Sequence, residues 1–390
     1  MEGMENMNNF DFYNPTHIVF GKDRVKDINN LVPKDARVLV LYGGGSVKRF
    51  GTLERVKEAL DDRAVFEFSG IEPNPKYETL IKAVDIIKKE NIDFLLPVGG
   101  GSVIDGTKFI SLACNYDGDL TDLLLKGVSG KIKKAIPIGT VLTLPATGSE
   151  MNSGGVITYD KGKFVIGNPL VFPKFSILEP EITFTLPESQ VANGVVDTFI
   201  HVVEQYVTYP VDARFQDRTA EGILKTLIEI GKDTIDNPKD YDLRANLVLC
   251  ATMGLNGLIK MGVPEDWSTH MIGHELTALY GIDHGKTLAV VQPASWSVRK
   301  NQKREKLVQY AERVFDIKDG DKDTKIEMAI NKTREFFESL GVKTKLSDYG
   351  LDKKNIDEVI NSLEKHGLLN LGENGDVTLE VSREILNKAL

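Results

Sequence analysis

Two stretches of the chain carry side chains suited to holding an ion. Asp197 and His201 stand four residues apart in a segment dominated by Val191, Val195, Val196, Phe199, Ile200, Val203 and Val207. At helical spacing they share one face. An aspartate on an apolar face is costly to bury unless a cation or donor compensates it, and an i, i+4 pair offers two ligands to one ion. His270 and His274 repeat that spacing on a predicted helix that Gly281 should end, and His284 lies just past this glycine, where a returning loop can point it back. The predicted ligand set is Asp197, His201, His270 and His284. Three imidazoles and one carboxylate suit Fe(II), Zn(II), Co(II) or Mn(II), and ligand type alone does not separate these ions. Met271 follows His270, and no glutamate lies between His270 and His274. The H-E-x-x-H arrangement of zinc proteases is therefore absent.

A second chemistry is written in glycine. Gly43, Gly44, Gly45 and Ser46 follow one apolar run and open a helix, and Gly99, Gly100, Gly101 and Ser102 do the same ahead of a helix containing Asp105. Such turns leave backbone N–H groups free to meet an anion at a helix N-terminus. Two on one sheet edge suggest a dinucleotide. Neither fits G-x-G-x-x-G, whose last position is Lys48 in one and Ile104 in the other, and neither fits a P-loop. The stretch Thr143 to Glu150 is a third anion-contacting turn to consider.

The elements that must position these groups change style along the chain. From Arg37 to about Ala113 short apolar runs alternate with helical stretches: Arg37 to Tyr42, Ser46 to Leu60, Ala64 to Phe68, Tyr77 to Glu90, Phe94 to Val98 and Val103 to Ala113. That pattern predicts βαβ units and a parallel sheet, with ligands at the strand C-terminal ends. Ala135 to Leu144 reads as a further strand, and Val156 to Tyr159 with Phe164 to Ile166 as a hairpin about Asp160 to Lys163. Beyond Pro187 helical periodicity takes over, in Val191 to Val207, Arg214 to Ile230, Leu243 to Met261, Trp267 to Tyr280, Arg304 to Val314 and Thr324 to Leu340. The expected division is 1–186 for an α/β dinucleotide-binding domain and 187–390 for an all-helical metal- and substrate-binding domain.

Composition narrows the class. The 390 residues hold 48 basic and 57 acidic side chains, a formal charge of −9, against the basic footprint of a nucleic-acid binder. Two cysteines, Cys114 and Cys250, exclude a disulfide framework and a four-thiolate zinc site. Met1 to Phe10, with Glu2 and Glu5, lacks the basic and apolar regions of a leader, and no run of 18 apolar residues occurs. The expectation is a cytoplasmic protein with small-molecule partners, no nucleic acid and no membrane. A dinucleotide cradle and a divalent ion together point to hydride transfer in an interdomain cleft, the ion polarising an alcohol or aldehyde oxygen.

Five stretches carry a resemblance to a known family: IEPNPKYETL at Ile71 to Leu80, VGGGSVIDGTKFI at Val98 to Ile110, LTLPATGSEMN at Leu142 to Asn152, VANGVVDTFIHVVEQYVT at Val191 to Thr208, and DWSTHMIGHELTALYGIDHG at Asp266 to Gly285. From about Phe12 onward the chain resembles the iron-containing (group III) alcohol dehydrogenases, in particular their butanol dehydrogenase and NADPH-dependent aldehyde reductase branch. The resemblance implies a Rossmann-like domain followed by a helical metal-binding domain, as in dehydroquinate synthase. It puts Asp197, His201, His270 and His284 on the family's metal ligands, with Fe(II) or Zn(II) the implied ion, and His274 on a non-ligand histidine that relays a proton or orients substrate. It maps cofactor contacts to Gly100, Gly101, Ser102 and Asp105 for the pyrophosphate, to Asn74, Thr143, Leu144 and Thr147, and to Lys163 near the nicotinamide ribose. Where NAD-preferring relatives carry an aspartate at the first strand tip, this chain has Gly43. Gly43, with Gly44 beside it, is therefore expected to admit a 2′-phosphate, with Ser46, Lys48 and Arg49 the candidates for holding it, giving NADP(H) preference with NAD(H) also usable. The implied reaction interconverts small aldehydes and primary alcohols such as butanol, in a homodimer whose interface includes the segment Phe12 to Phe20. Glycerol dehydrogenase-like polyol oxidation, or a non-catalytic cofactor-binding protein, are the alternatives.

Overall fold

The computed structural model describes residues 6–390. Glu2 and Glu5, used above in the leader argument, lie outside the described residues. Contacts divide the described residues into two compact units: Tyr13–Leu186 with Pro238–Asn256, and 6–12 with Pro187–Asn237 and Gly257–Leu390.

In the first unit six parallel strands form a sheet in the order β1-β8-β5-β4-β2-β3. They are β1 His17–Phe20, β2 Arg37–Leu41, β3 Ala64–Phe68, β4 Phe94–Gly99, β5 Gly139–Leu142 and β8 Phe175–Leu178, and an antiparallel hairpin of β6 Gly154–Tyr159 and β7 Gly162–Gly167 stands apart. The helices are α1 Ile28–Leu31, α2 Ser46–Arg49, α3 Thr52–Leu60, α4 Tyr77–Glu90, α5 Gly101–Ala113, α6 Asp122–Leu125 and α9 Tyr241–Gly254. Strand residues alternate between two cores. Leu39, Leu41 and Leu95 pack with α4 and α5 on one face, while Val38, Val40, Phe94, Leu96 and Val98 pack with α1 and α3 on the other. Both faces are dry, which explains why these strands read as unbroken apolar runs.

The predicted alternation of strand and helix over residues 37–113 is the observed one, with local differences. Ser46 to Leu60 breaks into α2 and α3 because Gly51 adopts φ +78, outside the helical region. The predicted strand Ala135 to Leu144 shrinks to Gly139–Leu142, since Pro137 cannot donate to a ladder. The hairpin closes through Asp160 and Lys161, at φ 43 and 61, the positive pair that a two-residue turn of matching twist requires. The predicted helix Leu243 to Met261 ends at Gly254, and it packs in the α/β unit rather than with the helices that surround it in sequence.

The second unit contains α7 Glu188–Tyr206, α8 Arg214–Asp236, α10 Ser268–Tyr280, α11 His284–Val298, α12 Arg304–Val314, α13 Lys322–Ser339, α14 Lys353–Lys365 and α15 Leu379–Lys388, with a short ladder of β9 Asn370–Leu371 and β10 Val377–Thr378. One apolar cluster joins α10, α11, α14 and α15 through Ile272, Leu276, Val291, Ile360, Leu363 and Ile385. Among the described residues no helix is long and apolar enough to cross a membrane.

Candidate metal centre and dinucleotide cradle

The four predicted ligands come together inside the helical unit. α7 presents Asp197 and His201 one turn apart, α10 presents His270, and His284 is the first residue of α11. Gly281, left-handed at φ 67, ends α10, so the chain reverses within three residues and returns His284 beside His270. The sequence placed His284 on a returning loop; it opens a helix instead.

Asp197 Oδ1 is the hub. His201 Nδ1 lies 3.5 Å from it, His284 Nε2 3.6 Å and His270 Nε2 3.7 Å. These spacings are long for hydrogen bonds, yet a tetrahedral ion with bonds of about 2.0–2.2 Å holds its ligands about 3.3–3.6 Å apart. Asp197, His201 and His270 are each at most 6% exposed, and Asp197 Oδ1, His201 Nδ1 and His270 Nε2 are buried with no hydrogen-bond partner. Orphans of this kind cost on the order of 1–3 kcal/mol apiece unless something satisfies them together. The donor set and its spacing fit a divalent ion. Among the described residues this is the one cluster of its kind, formed on Asp197, His201 and His270.

The local field agrees. Burial alone would raise the Asp197 carboxyl, but His201, His270 and His284 around it hold it well below the usual carboxylate range. Burial pushes His201 down to about 4 against the pull of Asp197. His270 goes the other way, to about 9, because Glu204 and Asp197 outweigh its burial. His274, one turn beyond His270, is 6% exposed, and its ring centroid lies 4.9 Å from that of His284 and 6.1 Å from that of His270.

The glycine loops converge in the α/β unit. The chain leaves β2 for β3 on one side, then crosses to β4 on the other, so the loops after β2 and β4 flank the point where strand order reverses. Gly99, Gly100 and Gly101 run into the N-terminus of α5. A Cβ on Gly101 would meet Thr147 Oγ1 at 2.4 Å and one on Gly100 would meet Leu144 Cβ at 3.0 Å, so the third turn lies directly against the second. Thr143 N donates to Gly99 O at 3.0 Å, Asn74 N to Ser102 Oγ at 3.3 Å, and Lys163 Nζ to Asn74 Oδ1 at 2.6 Å. Gly43 lies close under Ile71 O, 3.0 Å from where its Cβ would stand, and Gly44 and Ser46 are exposed beside it. Asp105 is engaged within the protein: Oδ1 accepts from Ser149 Oγ at 2.6 Å and Oδ2 from Val156 N at 2.9 Å, bracing the turn and hairpin rather than reaching outward. Lys48 lies over the Tyr42 ring, 3.7 Å from Glu67, and Arg49 over the Phe50 ring.

Two residues escape a motif search. Lys108 Nζ is fully buried on α5 and donates to Ser149 O, Ser149 Oγ, Asn152 Oδ1 and Gly154 O at 2.7–2.9 Å, tying the third turn to the helix. Glu204, on α7, contacts His270 and the turn before it. Its signal was present: it stands seven residues after Asp197 and three after His201, a buried carboxylate on the same stripe.

An α/β unit with glycine turns at its strand ends, and a helical unit with a buried His/Asp cluster that fits a divalent ion, are the makings of a metal-dependent dehydrogenase. Residues 15–180 match the family described as iron-containing alcohol dehydrogenase, and residues 191–373 match the Fe-containing alcohol dehydrogenase family, C-terminal. The chain belongs to the iron-containing alcohol dehydrogenase family. It is 55% identical over 388 residues to the NADPH-dependent aldehyde reductase YqhD of Escherichia coli, spanning 98% of this chain and 100% of that one. The crystal structure of that protein superposes with a TM-score of 0.97, at 54% identity over 99% of this chain and 100% of the other. The chain is also 38% identical to NADH-dependent butanol dehydrogenase B of Clostridium acetobutylicum, over 90% of this chain and 92% of that one.

Proposed function

We propose that the chain is an NAD(P)H-linked, metal-dependent alcohol dehydrogenase and aldehyde reductase that interconverts small aldehydes and primary alcohols, butanol among them. The observation that carries this reading is the convergence of orphaned donor atoms from Asp197, His201 and His270, with His284 beside them, in a member of this family. Asp197, His201, His270 and His284 would hold Fe(II) or Zn(II), which supplies Lewis acidity toward the substrate oxygen when bound. His274, adjacent to the cluster but outside the hub, is assigned to moving a proton at the substrate oxygen or orienting that oxygen.

Gly100, Gly101 and Ser102 at the start of α5 offer backbone N–H groups to a pyrophosphate, with Thr143, Leu144 and Thr147 forming the facing wall. Asn74 and Lys163, already bonded to each other, are assigned to the nicotinamide ribose side. Asp105 is assigned to bracing that cradle. NADP(H) is the preferred coenzyme and NAD(H) a usable one. Gly43 puts no carboxylate at the β2 tip to repel a 2′-phosphate, and Gly44 and Ser46 leave room there; the relatives named above split between NADPH and NADH. A homodimer working in the cytoplasm belongs to the same proposal. The edge position of β1 and the exposure of Phe10, Phe12 and Tyr13 support the dimer, and light scattering would test it.

The deciding experiment is NADPH and NADH oxidation over a panel of aldehydes, with elemental analysis of protein purified without added metal. Turnover should be lost on chelation and regained with Fe(II), Zn(II) or Co(II), and Asp197→Ala should lose metal while keeping the fold. Full activity in stripped protein, or a more than tenfold preference for NADH in kcat/KM, would defeat the corresponding half of the proposal.

A further inference from the structure

Glu204 holds the turn that delivers His270 at three points. Its main-chain oxygen accepts from Asp266 N at 2.9 Å, its Oε1 accepts from Thr269 N at 2.7 Å, and its Oε2 pairs with His270 Nδ1. The residue is 2% exposed. Between the gripped positions Trp267 adopts φ 61, a left-handed conformation that a side chain of its size keeps only when the surroundings enforce it. Asp266 helps to enforce it, accepting from Ser268 N at 3.0 Å and from Lys303 Nζ at 2.7 Å.

We propose that Glu204 is the positioning residue of the metal centre: its carboxylate fixes the tautomer and the aim of His270. This rests on the metal reading above. A carboxylate only accepts, so Nδ1 is the nitrogen of His270 that keeps its hydrogen, and the proton on the Asp197 side, at Nε2, is the one an incoming ion displaces. The two carboxylate oxygens meet two donors on consecutive residues, Thr269 N–H and His270 Nδ1–H. A glutamine there supplies one acceptor and one donor. With its oxygen toward Thr269, its NH2 faces Nδ1 and drives the hydrogen to Nε2, the atom needed by the ion. With its oxygen toward His270, its NH2 confronts the Thr269 N–H. Either arrangement spoils the aim of the ring, although the shape of the side chain is unchanged.

The test uses the full chain stripped of metal and titrated with Zn(II) against a competing chelator. Wild type should bind one equivalent, and Glu204→Gln should bind it about 10–100-fold more weakly, the range typical for losing the partner of a ligating histidine. Co(II) bound in its place should show an altered ligand-field absorption spectrum. In a His270→Cys background, which keeps a fourth ligand without an imidazole, the same change should alter Zn(II) affinity less than twofold, because no imidazole remains to orient. A purely structural role would lower the Tm of the stripped protein and leave affinity alone, so Zn(II) affinity within twofold of wild type, or an equal fall in both backgrounds, overturns the inference. If wild type itself binds no ion, the metal reading fails and this inference with it. Should Glu204→Gln not fold, Glu204→Asp, which keeps two acceptors on a stem one methylene shorter, is read by the same criteria.

Discussion

Gly285 follows His284 at the start of α11, where that helix crosses α7. A Cβ at this position would lie 2.7 Å from Asn193 O and 2.9 Å from Asn193 Cα, both main-chain atoms that cannot rotate aside. Ordinary contact begins near 3.4 Å, so Gly285→Ala forces the start of α11 away by about 0.7 Å. Metal–ligand bonds tolerate about 0.2 Å, so His284 would be carried out of range. Overpacking costs on the order of 1–3 kcal/mol, and the helix gains about 0.5–1 kcal/mol from replacing glycine, leaving a net loss of about 0–2.5 kcal/mol in metal-free protein. Ion affinity should fall in addition by at least about tenfold, or about 1.4 kcal/mol. Thermal unfolding with and without Zn(II), together with direct titration, separates the two effects. Gly222→Ala is the control: it lies within α8 with nothing within 4 Å of its added carbon, and it should gain stability with Zn(II) affinity unchanged. Zn(II) affinity within twofold of wild type in Gly285→Ala would refute the claim that close approach of α7 and α11 sets the position of His284.

Four further outcomes are expected. His274→Ala should retain its metal by elemental analysis but turn over at least about tenfold more slowly, with an altered pH–rate profile; an unchanged profile removes the proton-handling role. Lys108→Met should lose about 3 kcal/mol or more in urea unfolding, since four acceptors around Nζ lose their donor. Burial pushes Lys108 down to about 8, against the pull of Asp105 and Glu150. Because the unfolded side chain keeps its proton to about 10.4, the folded state holds fewer protons in between, and wild-type stability should rise as pH climbs from about 8 toward 10, a slope that Lys108→Met should lack. Lys161→Gly, at a left-handed turn position, should raise stability by about 0.5–1 kcal/mol; a loss would show that the Lys161 side chain contributes more than its conformation costs.

What could be read from sequence was local. Ala64 to Phe68 and Arg304 to Val314 were predicted with the observed bounds, because each signal is a short apolar run or a helical period within one element. α11 escaped because Pro293 lies inside it and interrupts the expected pattern. α14 and α15 carried signals of their own, the capping Asp352 and Thr378 ahead of amphipathic runs, and these passed unread. The pairings within the ion cluster needed two turn-scale signals to be joined across about seventy residues, from 197 to 270, which helix spacing suggested only through the chemistry of the side chains. Lys108 was invisible as a functional residue for the opposite reason: a lone buried charge has no sequence signature until its partners are known. Glu204 did carry a signal, its helical spacing from Asp197 and His201, and that too passed unread.

The placement of α9 has a consequence for synthesis and dissection. Thr252 on α9 donates to the buried Glu150 carboxylate at 2.6 Å, and Arg244 to the Thr183 carbonyl at 3.1 Å, so the α/β unit draws part of its interior from a stretch more than fifty residues beyond Leu186. A nascent chain cannot finish that unit until Asn256 has left the ribosome, by which time α7 and α8 are already made and waiting. A fragment cut at Leu186 would leave Glu150 without its hydroxyl donor and the seat of a fourteen-residue helix open to water. Expressing the halves separately should therefore give an aggregating first piece, whereas appending residues 238–256 to it through a linker should restore solubility.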